Sequence, residues 1–260
     1  MAVAWRHENS IRPLREAFAC VPLRAGACLV AVAELRQWHP WLDDAWALLD
    51  ASERDRVGQR RFASDREALA LSYALHRLFV ASATDQSPAA VRIDRDAEGR
   101  PRLVGPVGRA LQTSLSHADG VAAFALSACG PVGVDIEASF RADELPGIAA
   151  TVCHPSELQS LRGFAEPAYS RALLALWVRK EALLKAEGIG LARAMDSFLA
   201  AAGAEYPLTG RTRETPACSV RLAMLDVGER WTAAVAAPRE AAVECVRVAP
   251  VGRRGDAGAL

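Results

Sequence analysis

The chain predicts an α+β fold. Apolar residues alternate with polar ones, or run unbroken, over short stretches bounded by turn residues, which is the habit of strands. Elsewhere they recur at three and four residues, which is the habit of helices. The 260 residues are enough for one large domain or two small ones sharing a core. There is no internal sequence repeat and no long linker.

The elements follow in order. Residues 1–25 read as irregular. Ala27–Leu35 reads as a strand, and Trp38, Trp41 and Trp46 lie around a helix ending near Leu49. Ser52 reads as the N-cap of the next helix, which carries Arg54, Arg56, Arg60 and Arg61. A helix over Ala63–Ala81 buries Leu69, Tyr73, Leu75, Leu78 and Phe79. Gln86–Pro88 breaks the chain. A short strand at Val91–Asp94 leads to a turn at Asp96–Gly99 and then Arg100-Pro101-Arg102. Arg92, Arg95, Arg100 and Arg102 form a second basic cluster. Strands follow at Leu111–Ser116, Val121–Ser127 and Val132–Glu137. A helix start falls at Pro155, after His154. Residues 171–191, RALLALWVRKEALLKAEGIGL, read as one helix stopped at Gly188. A loop is expected around 203–215, then strands at Ser219–Leu225, Trp231–Ala236 and Val243–Val248, and a tail.

Composition narrows the function. Half the residues are apolar, and 31 basic residues balance 31 acidic ones, so no broad nucleic-acid surface is expected. No apolar run reaches membrane-spanning length, and the first residues lack an apolar signal core, so a cytoplasmic protein without a membrane partner is expected. The six cysteines, Cys20, Cys28, Cys129, Cys153, Cys218 and Cys245, form no C-x-x-C pair, which disfavours zinc. Cys153-His154 is a poor nucleophile–base couple, because sequence neighbours point different ways.

Three acids stand out. In Val132–Glu137 the apolar Val132, Val134 and Ile136 face one side, and Gly133, Asp135 and Glu137 the other. Asp135 and Glu137 are thus roughly 6–7 Å apart on one face. A polar outer strand face is the ordinary explanation, but Asp is a poor strand former. Trp177, Glu181 and Lys185 share one helical stripe on the side predicted to be buried. By itself Glu181–Lys185 is a common i,i+4 pair worth about 0.3 kcal/mol. Three carboxylates with basic residues nearby suit Mg²⁺ shared with a phosphorylated substrate, and so phosphoryl-type transfer or diphosphate cleavage. There is no Walker loop and no kinase signature set.

These residues resemble a known family. Gly133-Val-Asp135-Ile-Glu137 is similar to the G-[IV]-D-[IV]-E motif of 4′-phosphopantetheinyl transferases. Trp177–Lys185 resembles their W-x-x-K-E-[AS]-x-x-K, continued by Glu187-Gly188-Ile-Gly190-Leu191. Ser114-Leu-Ser116-His117 resembles N-x-S-H with Ser114 for Asn, and Gly99-Arg100-Pro101 resembles G-K-P with Arg for Lys. Arg56–Phe62 resembles the Arg-bearing helix near the 3′-phosphate of coenzyme A. The motifs run in family order, with the spacing of the long, Sfp-type branch.

The resemblance implies two similar α+β halves in one chain, 1–130 and 131–250 with a tail at 251–260, and a coenzyme A cleft between them. It implies transfer of the 4′-phosphopantetheine arm of coenzyme A to a serine of an acyl, polyketide or peptidyl carrier protein, with release of 3′,5′-ADP. On that reading Asp135, Glu137 and Glu181 hold Mg²⁺. Arg56, Arg95, Arg100, Ser116, His117 and Lys185 hold the phosphates, and Glu181, Lys185 and His117 serve the chemistry. Arg54 competes with Arg56 for the 3′-phosphate. A monomer is expected, since both walls of the cleft lie in one chain. The alternatives are a Mg²⁺-dependent hydrolase of a nucleotide diphosphate and a non-catalytic carrier-binding module.

Overall fold

The structure is a computed structural model, and it describes residues 16–18, 22–96, 99–105, 111–189, 193–208 and 218–251. The expected tail beyond Val251, Cys20, Gly190 and Leu191 lie outside the described residues. Strand β1 (Ala27–Glu34) is followed by helices α1 (Leu42–Leu48), α2 (Ala51–Gly58) and α3 (Ala63–Ala83). A small hairpin, β2 (Ile93–Arg95) and β3 (Pro101–Leu103), precedes the antiparallel pair β4 (Gln112–Ala118) and β5 (Val121–Ser127). Then come β6 (Gly133–Ala138), α4 (Ala149–Val152), α5 (Pro155–Leu161) and α6 (Ala168–Glu187). Strands β7 (Glu205–Leu208), β8 (Cys218–Leu225), β9 (Trp231–Pro238) and β10 (Ala242–Val248) close the order.

The two halves repeat one plan. A strand leads to a long helix, then to an antiparallel pair whose second strand lies beside the first strand. In the first half these are β1, α3 and β4–β5, and in the second β6, α6 and β8–β9. The sheets run β10-β1-β5-β4 and β6-β9-β8-β7. The last strand departs from the sequence division: β10 pairs in parallel with β1, so 131–250 is not confined to one sheet. Glu34, at the end of β1, fastens this return by accepting hydrogen bonds from Arg230 and Arg247.

Strand alternation builds four layers. On β1, Leu29, Ala31 and Ala33 face α3, while Cys28, Val30 and Val32 face the second sheet. There they meet Val134 and Ile136 of β6 and Val235 of β9. The far side of β9, Ala234 and Ala236, packs under Leu173, Leu176 and Ala182 of α6. The order is helix, sheet, sheet, helix.

Local chemistry explains most boundaries. The cap of α2 is Asp50, not the expected Ser52. Its carboxylate accepts from the Glu53 N–H while Glu53 accepts from the Asp50 N–H, a reciprocal capping box. Helix α5 begins at Pro155 with His154 as cap, which gives His154 a structural task and leaves Cys153 buried. Gly188 ends α6 at φ +70°, the left-handed region glycine enters at low cost. Strand β7 falls where a loop was expected.

Candidate active site

The polar face of β6 is not an outer face. It is turned onto α6, and Gly133 makes the approach possible: a Cβ there would lie 2.0 Å from the Ala182 carbonyl oxygen and 2.5 Å from the Ala186 nitrogen. With strand and helix that close, Lys185 Nζ reaches Asp135 Oδ1 at 2.6 Å. The same oxygen accepts from Ser116 Oγ on β4 at 2.7 Å. Asp135 is therefore held by both halves at once, while its Oδ2 is buried without a hydrogen-bond partner.

The other two acids feel this charge. Burial first, and then the Asp135 carboxylate, push Glu137 up to about 7. The same two causes, in the same order, raise Glu181. Arg141 offsets part of this at Glu137, with Nη1 3.1 Å from Oε2. As the side chains stand, the described residues contain no group of three or more His, Cys, Asp or Glu poised around one metal position. The acids are nonetheless coupled, short of positive charge, and supplied with an orphaned buried oxygen. Donor chemistry that is all oxygen suits Mg²⁺.

The stripe predicted to be buried is half-buried at Trp177, Glu181 and Lys185. The fully buried polar residue is Lys180, one position away, which sequence reasoning did not single out. Its ammonium donates to the carbonyls of Met195 and Phe198, each at 2.6 Å, and pairs with Glu157 at 2.7 Å. Lys180 thus pins α5 and the 195–198 segment to α6. Lys180→Met should cost about 3 kcal/mol, since it removes the buried cation shared by Glu157 and the Met195 and Phe198 carbonyls. Urea unfolding would show this, and a change under 1 kcal/mol would contradict the anchoring role.

Ser116 and His117 diverge. Adjacent strand residues point to opposite faces, so Ser116 turns to Asp135 and His117 to the first half. His117 is an exposed residue with charged neighbours from both halves. Loss of hydration, then the cations Lys185, Arg60 and Arg95, lower its pKa to about 4. It is a neutral donor at pH 7. Its folded pKa lies below the usual 6.5, so its contribution to stability is complete above pH 6.5 and is lost as the pH falls towards 4. A histidine NMR titration should show a midpoint near 4 that rises when a phosphate anion binds. A midpoint near 6.5 in the free protein would remove the cationic environment from the account.

The first half adds its arginines through the β2–β3 hairpin. Arg56 Nη2 donates to the Asp96 carbonyl at 3.0 Å, at the hairpin turn, whereas Arg54 is turned back to the Trp46 carbonyl. The Arg100 guanidinium lies against Gly188, where a Cβ would be 1.5 Å from Nη1. Arg100 thus crosses from one half to the C-terminal end of α6 in the other, where helix carbonyls favour a cation. Arg95 differs from a rim residue. Its side chain is 3% exposed, stacked over the Tyr73 ring at 3.8 Å and 3.8 Å from Glu53 Oε1. A run of arginines reads as surface, and nothing in the sequence marks this one as internal. A cavity of about 420 Å³ opens beside Arg100, between Pro101–Val104 and Leu111–Thr113.

Comparison with known proteins matches the two halves in turn. Residues 131–236 match the family model of the 4′-phosphopantetheinyl transferase superfamily, and residues 36–128 match that of the 4′-phosphopantetheinyl transferase N-terminal region. The chain is 26% identical over 160 residues to 4′-phosphopantetheinyl transferase HetI of Nostoc sp., covering 61% of this chain and 68% of that protein. It is 24% identical over 161 residues to slr0495 of Synechocystis sp., which carries the same enzyme name provisionally, covering 62% of this chain and 65% of that protein. With its two halves matched in turn and jointly covering most of its length, the chain belongs to the 4′-phosphopantetheinyl transferase superfamily, a family of transferases.

Proposed function

We propose that the protein moves the 4′-phosphopantetheine arm of coenzyme A onto a serine of an apo carrier protein, with Mg²⁺. The observation that carries this reading is Asp135, gripped by Ser116 of the first half and Lys185 of the second, with one buried oxygen left unpartnered. Lys185 stands beside Asp135, and Arg100 reaches the C-terminal end of α6, so cations suited to a diphosphate and a 3′-phosphate come from both halves.

Asp135, Glu137 and Glu181 would hold the ion, which would supply the positive charge that Arg141 and Lys185 now supply in part. When bound, Mg²⁺ polarises the diphosphate and offsets charge on the leaving group. The chain's own residues do the rest. Arg56 and Arg100 bind phosphate oxygens, and neutral His117 donates a hydrogen bond to one. Lys185 steadies the diphosphate. The carrier serine oxygen bonds to the phosphorus bearing pantetheine, and the bond from that phosphorus to the bridging oxygen breaks. The serine proton passes to Glu181 as general base, directly or through water. The departing group is 3′,5′-ADP.

The test is direct. Incubation with coenzyme A, Mg²⁺ and apo carrier proteins from fatty-acid, polyketide and peptide assembly should add the mass of the arm to at least one carrier. No gain on any carrier, with 3′,5′-ADP released when no carrier is present, would favour a hydrolase instead.

A further inference from the structure

Two edge strands meet where the halves join: β4 ends the first sheet and β6 ends the second. Edge strands present backbone groups that no strand partner satisfies. Here a β4 side chain satisfies one of them, and a second holds a side chain of β6. Ser114 Oγ accepts from the Val134 N–H at 3.1 Å, and two positions on, Ser116 Oγ donates to Asp135 Oδ1 at 2.7 Å. Residues 114 and 116 share a face of β4, so the two hydroxyls form successive rungs onto consecutive residues of β6. Both serines are buried, and Val134 is fully so. Without Ser114 that N–H would have no partner in the join.

We propose that Ser114 and Ser116 are positioning residues for Asp135. Ser114 fixes the backbone immediately before Asp135. Ser116, with Lys185, occupies Oδ1 and leaves Oδ2 as the single oxygen offered to a cation. This inference rests on the metal reading above and alters one part of it. The resemblance gives Ser116 to the phosphates, whereas the structure commits its hydroxyl to the carboxylate. It also explains why serine suffices at 114, where an asparagine is usual: what the position must supply is an oxygen acceptor for the Val134 N–H.

Mn²⁺ is the probe, titrated into the full chain with coenzyme A present and followed by the EPR signal of free ion. The temperature is kept where circular dichroism shows every variant folded. Ser116→Ala should weaken Mn²⁺ binding about 10- to 100-fold, the usual effect of losing a partner of a metal ligand. Ser116→Thr, which keeps the hydroxyl, should recover most of it. Ser114→Ala should weaken Mn²⁺ binding in the same direction, and Ser114→Asn should restore it. Binding of 3′,5′-ADP without metal separates the roles, because Ser116→Ala should leave that affinity unchanged. Unchanged Mn²⁺ affinity in both alanine variants would overturn the proposal while leaving the transferase reading intact. Loss of metal-free 3′,5′-ADP binding with Mn²⁺ affinity retained would overturn it too, returning Ser116 to the phosphates. If the wild-type protein takes up no Mn²⁺ at all, the metal reading fails, and this inference with it.

Discussion

Asp135→Asn should reduce phosphopantetheine transfer about a thousandfold while leaving the fold in place. The asparagine oxygen can still accept from Ser116 and Lys185, so the join between the halves keeps its shape. What disappears is the negative charge at the centre of the three acids. One misplaced group in a preorganised electrostatic site already costs about 10²–10³ in rate, and here the lost group is the candidate ligand to which both halves contribute. Stability should move by less than about 1 kcal/mol, because two effects oppose. Lys185 loses an ion pair, and Glu137 and Glu181 lose a repelling neighbour. Carrier mass gain and a thermal melt measure the two outcomes. A variant that transfers at the wild-type rate would remove Asp135 from the active site.

Gly133→Ala should do the opposite, and destroy stability first. Its Cβ would meet backbone atoms of α6 at 2.0 and 2.5 Å, well inside any real contact. No side chain can swing aside to relieve this, so strand and helix must separate. The expected loss is at least about 4 kcal/mol, in the range reserved for severe overpacking. Urea unfolding would measure it. A loss under about 1 kcal/mol would mean that β6 and α6 do not lie this close. Any folded fraction should also transfer poorly, since Lys185 would be carried away from Asp135.

Much of this arrangement was legible in the chain. Strand β5 lies at the residues its apolar run marks, and the alternation of Gly133, Asp135 and Glu137 against Val134 and Ile136 is real. The helix expected over 171–191 runs from Ala168 to Glu187, with Gly188 as its stop. Alternation alone could not say that the acidic face of β6 is covered by a helix, because covering is a tertiary fact. The divergence of Ser116 and His117 was available from the same two-residue period, but a shared motif drew both towards one role. Arg95 and Lys180 were hidden for another reason. Long cationic side chains are nearly always solvated, and only partners distant in sequence, Tyr73 and Glu53 for one and Glu157 for the other, make burial tolerable. The return of β10 is likewise a long-range pairing that no local pattern announces.

That return has a mechanical consequence. Because β10 follows β9 of the second half yet lies beside β1 of the first, the second lobe cannot unravel fully without stripping a strand from the first lobe's sheet. Without that crossing, a duplicated architecture is free to come apart in two steps. Here the crossed ribbon laces the lobes together, and heating should give one cooperative transition, with the join between the halves keeping its shape until the whole molecule yields.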